Sequence, residues 1–346
     1  MRKLALVLLT ACGPAAATPA DDAGADVSGD TSFGFGDGSV EAGVFTLATG
    51  VEPNVLAIAG DSVLIDEVND IKRCSRAGCS DSPTLLVDSN ALGAQIFGVA
   101  VDTTNAYFAS APPMRIGQCG LGGCGDKPAI IFSDAPDAAT IFPSESVAVA
   151  GGFVHWVVGG RVVRCATSGC NQPSTLVTFA SSGGGNITTD GTNLYWTDGA
   201  TQVFSCPVAG CSQPTLLAVG QAGPVLITTD ALNVYWTIGN NLQSIVACDV
   251  SGCNGVPTVI ATSQPNPAGI VADGKNIYWT IPFDKPPPYP PSQHTGRVMK
   301  CSVYTCNDVP IVVADKQNEP SGIALDQASV YFGNVLDHTV IRVTPK

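Results

Sequence analysis

Six cysteine pairs, each separated by four residues, recur along this chain and limit it to a repeat architecture. They are Cys74/Cys79, Cys119/Cys124, Cys165/Cys170, Cys206/Cys211, Cys248/Cys253 and Cys301/Cys306. Their first members lie 45, 46, 41, 42 and 53 residues apart. A period of about forty residues is that of stacked supersecondary units, each too small to bury its apolar face alone.

The units align residue by residue. Unit four reads Asn186 to Asp198 (Asn-Ile-Thr-Thr-Asp-Gly-Thr-Asn-Leu-Tyr-Trp-Thr-Asp), then Val203 to Cys206, then Pro214 to Ala218. Unit five repeats it at Leu226–Asp230, Val234–Thr237, Ile245–Cys248 and Pro257–Ala261. Unit six does so at Gly269–Asp273, Ile277–Thr280, Val298–Cys301 and Pro310–Ala314. Each unit holds four short β-rich runs broken by Gly, Asn, Asp or Pro. No segment keeps a 3.6-residue apolar period, so helix is expected to be nearly absent. Hydrophobic residues at 45% against 13% charged suit sheets packed face to face. Four strands per forty-odd residues predict an all-β, seven-bladed β-propeller over 44–346.

The count of seven depends on the two ends of this region. Units one to three begin near Val55, Ile96 and Val147. A seventh, Gly322–Asp326, Val330–Phe332 and Val340–Thr344, stops before a fourth strand and has no cysteine pair. Val44–Ala48 matches Pro214–Ala218 and lacks a first three strands of its own. Placing it at the outer edge of the last blade closes the ring and removes an unpaired strand edge.

Tyr195-Trp196-Thr197-Asp198, echoed at Tyr235–Thr237, Tyr278–Thr280 and Tyr331-Phe332, resembles the repeat of the YWTD propellers and of NHL-type propellers. Unit one departs from it with Leu64-Ile65, and unit three with His155-Trp156. The chain also resembles Cys-rich repeat lipoproteins of myxobacterium-like bacteria. These resemblances imply the fold and carry no activity across.

The first residues give an address. Arg2 and Lys3, the apolar run Leu4–Leu9 and the small residues after it describe a secretory signal over 1–11. Leu9-Thr10-Ala11-Cys12 resembles a bacterial lipobox, which implies cleavage before Cys12 and lipidation of that cysteine. Gly13, rather than an aspartate, follows it, which favours the outer membrane. Residues 12–43 are acidic, rich in Gly, Ala and Ser, and without Lys or Arg, the composition of a disordered tether. Losing Arg2 and Lys3 with the leader takes the formal charge from −13 to −15. That balance excludes nucleic acid as a partner and leaves the lipid as the only expected membrane contact. A monomer is expected.

The repeated residues have structural explanations. Paired cysteines in an exported chain are expected to form disulfides across the turn from strand three to strand four in each of the six units. Zinc would need two pairs or several histidines to converge, and only His155, His294 and His338 exist. Asp102, Asp190, Asp230, Asp273 and Asp326 end the first strand in five units, where Asx side chains cap tight turns. The tyrosines and tryptophans of strand two alternate, so one set is expected to face each neighbouring blade. His155 takes a tyrosine position and is expected to be buried. No metal or cofactor is expected.

Function is expected where the repeat breaks. The strand two to strand three connection is three to five residues in most units but runs from Ile281 to Gly296 in unit six. It carries Phe283, Lys285, Tyr289 and His294, with prolines that keep it extended. The crossover Ser133–Glu145 is also long and falls on the same face. The chain then reads as a non-catalytic binding or scaffold propeller for an envelope protein or glycan. The alternative is a secreted lyase or hydrolase, or a metal-dependent activity, on the same face. It would require His294 to converge with two or more of Asp66, Glu67, Asp70, Asp198, Asp284 and Asp337.

Overall fold

The computed structural model describes residues 43–67, 69–88, 94–125, 127–134, 146–180, 185–239, 243–283, 295–304 and 306–346. The signal segment, Cys12 and the tether, with Asp284, Lys285, Tyr289 and His294, lie outside the described residues. The described residues form strands and turns with no helix, in seven four-stranded antiparallel sheets.

Blade 1 comprises β2 (Val55–Ala59), β3 (Ser62–Asp66), β4 (Asp70–Ser75) and β5 (Thr84–Asp88). Blade 2 holds β6 (Gln95–Val101), β7 (Asn105–Ala111), β8 (Arg115–Gly120) and β9 (Ala129–Ser133). Blade 3 holds β10 (Ala148–Ala150), β11 (Phe153–Val158), β12 (Arg161–Ala166) and β13 (Ser174–Thr178). Blade 4 is β14 (Ile187–Thr189), β15 (Asn193–Thr197), β16 (Val203–Pro207) and β17 (Thr215–Ala218). Blade 5 is β18 (Pro224–Thr229), β19 (Asn233–Ile238), β20 (Ser244–Asp249) and β21 (Thr258–Ala261). Blade 6 is β22 (Gly269–Ala272), β23 (Asn276–Ile281), β24 (Gly296–Ser302) and β25 (Ile311–Gln317). In blade 7, β26 (Pro320–Leu325), β27 (Val330–Asn334) and β28 (Thr339–Thr344) pair in sequence, and β1 (Gly43–Thr49) adds outside β28. The ladder runs from Gly43 opposite Thr344 to Thr49 opposite Thr339. The first strand of each blade touches the first strand of the next, from β2 round through β26 and back to β2. The ring is closed, as the two ends of the repeat region predict.

Seven apolar clusters fill the seven junctions between blades. The alternation of strand two decides which residue serves which junction. Tyr195 packs with Trp236 of the following blade, Tyr235 with Trp279, and Tyr107 with Trp156. Each tyrosine therefore faces forward and each tryptophan backward, and all four tryptophans are buried. Where the motif changes, the junction stays apolar: Leu64 meets Phe108, and Tyr331 meets Ile65.

All seven outer strands carry a β-bulge at the same place. The extra residues are Leu47, Leu86, Ile131, Leu176, Leu217, Ile260 and Val313. A bulge takes one residue out of the ladder and turns its carbonyl aside. The next blade uses that carbonyl. Cys79 N–H donates to Leu47 O at 3.0 Å, and Cys170 N–H to Ile131 O at 3.0 Å. Cys124 Sγ lies 3.3 Å from Leu86 O, and Cys253 Sγ 3.3 Å from Leu217 O.

Six disulfides join the pairs read from the spacing, each spanning five positions. The loop-entropy relation gives about 2 kcal/mol for so short a loop. Besides tightening its own turn, a bridge shapes the turn that docks on the preceding blade. Blade 7 has no such turn, because its third and fourth strands, β28 and β1, come from opposite ends of the region.

Cys306 is half-buried against the cluster between blades 5 and 6. The turn that follows it docks by a side chain: Asp308 accepts from Thr262 N–H at 2.6 Å and from the Thr262 hydroxyl at 2.7 Å, just beyond β21. Asn307 and Asp308 both take positive φ, 49° and 60°, as Asn254 and Gly255 do after the blade 5 pair.

Candidate functional site

The two ends of the ring differ in kind. Turns between strands one and two, and between strands three and four, lie at one end. The other end holds the two-to-three connections and the blade-to-blade crossovers.

The first end is fastened by a repeated device. Asp190 Oδ1 accepts from the N–H groups of Thr192 and Asn193, both at 2.7 Å, while Tyr195 OH donates to its Oδ2 at 2.8 Å. Asp102 with Tyr107, Asp230 with Tyr235 and Asp326 with Tyr331 repeat this at 2.8, 2.7 and 2.7 Å. The aspartates thus cap the turn, as expected, and also hold the forward-facing tyrosine five residues on. Burial alone would raise these carboxyls. The bonds they accept outweigh it and hold Asp102, Asp190 and Asp326 below the usual aspartate range. Burial and the carboxylate partner push Tyr107 and Tyr331 up to about 12. These groups are committed to structure.

Blades 3, 6 and 7 vary the device. At the tyrosine position of blade 3, His155 is fully buried and its Nε2 lies 3.3 Å from Ala150 O. Burial pushes its pKa down to about 4, and the nearby Arg164 charge adds to that. In blade 6, Asp273 Oδ2 pairs with Lys346 Nζ at 2.9 Å. At the closure, Arg76 joins Asp326 at 2.7 Å and Asp61 at 2.9 Å, and Arg342 donates to Arg76 O at 2.7 Å. Ion pairs thus stand at the edge of the blade that has no disulfide.

At the other end, the threonine of the Tyr-Trp-Thr motif latches neighbouring blades. Thr197 Oγ1 accepts from Asn186 N–H and donates to Val225 O, both at 3.1 Å. Thr280 Oγ1 donates to Ser321 O at 2.7 Å, and the Ser321 hydroxyl donates to Pro53 O. Ser146 Oγ accepts from Ile187 N–H at 2.8 Å, and Asn186 Nδ2 donates to Val225 O at 3.2 Å. In blade 1 the threonine position is taken by Asp66, fully buried, whose backbone carbonyl accepts from Asn54 N–H at 2.8 Å.

This belt surrounds the mouth of an axial channel of about 530 Å³. Every blade lines it through its first strand or the residue before it, and no lining residue is charged. Most of the wall is aliphatic or backbone, with Val99, Val147, Ile187 and Ile270. Phe97 adds an aromatic ring, and Asn54, Ser146 and Asn186 add polar groups. The bulge between Phe97 and Val99, centred on Gly98 with φ +66°, brings all three residues to the channel wall. The motif reading missed this channel, although a glycine inside the Ile96–Val101 run is a bulge signal.

The enzyme alternative required a convergent set of side chains. Asp198 Oδ1 is occupied by the N–H groups of Ala200, Thr201 and Gln202 at 2.8, 2.8 and 2.9 Å, so it caps the two-to-three turn. Glu67 pairs with Lys72 at 2.7 Å, and Asp337 accepts from Asn318 Nδ2 at 2.7 Å. Among the described residues, no three His, Cys, Asp or Glu side chains gather in a way that could hold a metal.

Phe283 is half-buried at the start of the long blade 6 connection. The connection is shorter than expected, because Ile281 pairs with Arg297 and Gly296 pairs with Gln317. Ile281 is buried, and a side chain at Gly296 would collide with Ile281 O and Pro320, so these residues belong to the strands. Ser133, likewise, ends β9 opposite Arg115 instead of starting the crossover.

No protein-family model matches the chain, and no curated protein matches it by sequence. Solved structures share its fold. Virginiamycin B lyase from Staphylococcus aureus is 18% identical with a TM-score of 0.65, over 88% of this chain and 99% of that one. A chain of the nidogen/laminin complex is 19% identical with a TM-score of 0.54, over 73% and 92%. The WD40 propeller of Doa1 is 11% identical with a TM-score of 0.61, over 87% and 97%. At these identities the likeness concerns the fold.

Proposed function

We propose that this chain is an exported, lipid-anchored propeller of the cell envelope, placed at the outer membrane, that binds a partner through its channel-mouth end without catalysis. The difference between its two ends supports this. One end repeats the same fasteners blade after blade, with its carboxylates and hydroxyls engaged in turns. The other holds the channel and the two long connections, where a rigid scaffold can present a variable surface. Six disulfides suit an oxidising compartment, and no described helix is long and apolar enough to cross a membrane. The ligand side chains would be Phe283, Lys285, Tyr289 and His294, and the partner an envelope protein or glycan.

The test replaces 282–295 by a short Gly-Asn turn. Loop entropy changes slowly with length, so stability should shift by no more than about 1–2 kcal/mol. Capture of the partner from envelope extract should vanish, because aromatic anchors dominate most interfaces. A folded, trimmed protein that captures the same partner equally well overturns the proposal. Cys12→Ser should move the protein from membrane to soluble fractions, and its retention after an alkaline wash would refute the lipid anchor. The lyase or hydrolase reading has the distant likeness to virginiamycin B lyase in its favour and needs His294 to meet at least two carboxylates.

A further inference from the structure

We infer that the axial channel is itself a binding site for a small, uncharged, partly apolar molecule that enters from its mouth. The inference rests on the proposal that this end is the recognition end, and it names a ligand class for the channel that the loops do not supply.

Three observations carry it. The volume of about 530 Å³ falls within the range of small-molecule sites, which are mostly apolar with a few placed polar groups. The lining contains no charged side chain, so an ionic ligand would lose its hydration and gain no counter-charge. The wall is also unequal around the ring. Phe97 of blade 2 is the one aromatic side chain among the described lining residues, and it sits at a bulge, the kind of irregularity that re-aims a side chain next to a site. Beside it in blade 1, Asn54 is exposed and has no side-chain hydrogen bond among the described residues, so its amide can both donate and accept. An aromatic ring beside a free amide, over an aliphatic wall, fits a ligand with an apolar body and one neutral hydrogen-bonding group.

The test uses the full chain and two fluorescent probes that differ by one charge. These are N-phenylnaphthylamine, which is neutral and carries an N–H, and its sulfonated analogue, anilinonaphthalenesulfonate. The neutral probe should bind saturably with one site per chain, and the sulfonate at least about tenfold more weakly. Phe97→Ala should weaken the neutral probe by about fivefold or more, and Asn54→Ala by about threefold. Because Phe97 is half-buried, circular dichroism must first show that its variant folds. Phe97→Leu, which keeps an apolar side chain, and the exposed Asn54→Ala serve if it does not. Equal binding of both probes, no saturable binding of the neutral one, or unchanged affinity in folded Phe97 and Asn54 variants overturns the inference. Trimming 282–295 separates the two proposals. Lost partner capture with intact probe binding supports both, whereas unchanged capture with intact probe binding sinks only the loop proposal.

Discussion

Blade 7 and the six blades before it reach the same four-stranded shape by different means. In blades 1 to 6 all four strands are consecutive, and a disulfide fixes the turn into the outer strand. In blade 7 the outer strand arrives from the other end of the region, so no turn exists there and no cysteine pair could serve it. Its edge is held by the β1–β28 ladder, by Cys79 N–H on Leu47 O, and by the Arg76–Asp326 pair. The missing seventh cysteine pair therefore marks the seam of the ring, and the blade 1 disulfide supports two blades at once.

The largest expected effect comes from removing the seam strand. Deleting residues 44–48 takes away buried Leu47 and Ala48 and exposes the edge of β28, and should lower stability by more than about 4 kcal/mol. Deleting 14–40 should leave the thermal midpoint unchanged. Equal midpoints for the two deletions would mean that β1 does not close the ring.

Next in size are the disulfides. Replacing Cys74 and Cys79 by alanine should cost about 3 kcal/mol in urea unfolding, and replacing Cys206 and Cys211 about 2 kcal/mol. The excess reflects weaker clamping of β1 by the blade 1 turn. Equal costs would show that the blade 1 bridge adds no more at the seam than another bridge adds at its own junction.

Blade 3 sharpens the comparison from another side, since His155 stands where other blades place an aspartate-bound tyrosine. Burial holds its folded pKa near about 4, while the unfolded chain takes up the proton near about 6.5. Between those values the unfolded state binds more protons, so stability falls as the pH drops through that window and levels off below it. The loss should be about 2 kcal/mol from about pH 7 to about pH 5. His155→Phe should flatten this part of the profile in urea midpoints measured against pH. An unchanged slope would assign the pH dependence to other groups.

The smallest effect belongs to Arg76. Its side chain is one-third exposed, so Arg76→Met should cost only about 1 kcal/mol, and less at high salt. Below the usual aspartate range, protonation of Asp326 should abolish the difference between the two proteins, because the depressed carboxyl contributes only while ionised. A cost that persists at high salt and in acid would point to packing of the Arg76 stem instead.

Much of the architecture was legible because it repeats. Strand number, closure and disulfide partners all follow from spacing, and the forward and backward aromatic faces follow from alternation. Spacing named the partner of Cys306 but not the docking of the turn that follows it, where Asp308 accepts from Thr262. The outer-strand bulge was visible only in hindsight: doubled aliphatics such as Leu85-Leu86, Ile130-Ile131 and Leu216-Leu217 break the alternation of a regular strand. The tyrosine–aspartate bond was hidden because its two halves are five residues apart and each has a sufficient local explanation. The channel was illegible for a different reason. Its wall gathers one or a few residues from each of seven blades, most of them small or aliphatic, and no local motif records that they meet.

The seam also sets an order of events. Each cysteine finds its mate five residues away, so the bridges can form as successive hairpins emerge, with little opportunity for mispairing. The contact between Gly43 and Thr344 spans nearly the whole described chain and must wait until the last strand has emerged. Until then β1 is an apolar strand with no partner, which is the interval in which the folding chain is most exposed to aggregation or to a neighbour's open edge. Early covalent fastening of the blades shortens that interval, because only one docking event is left when the final strand arrives.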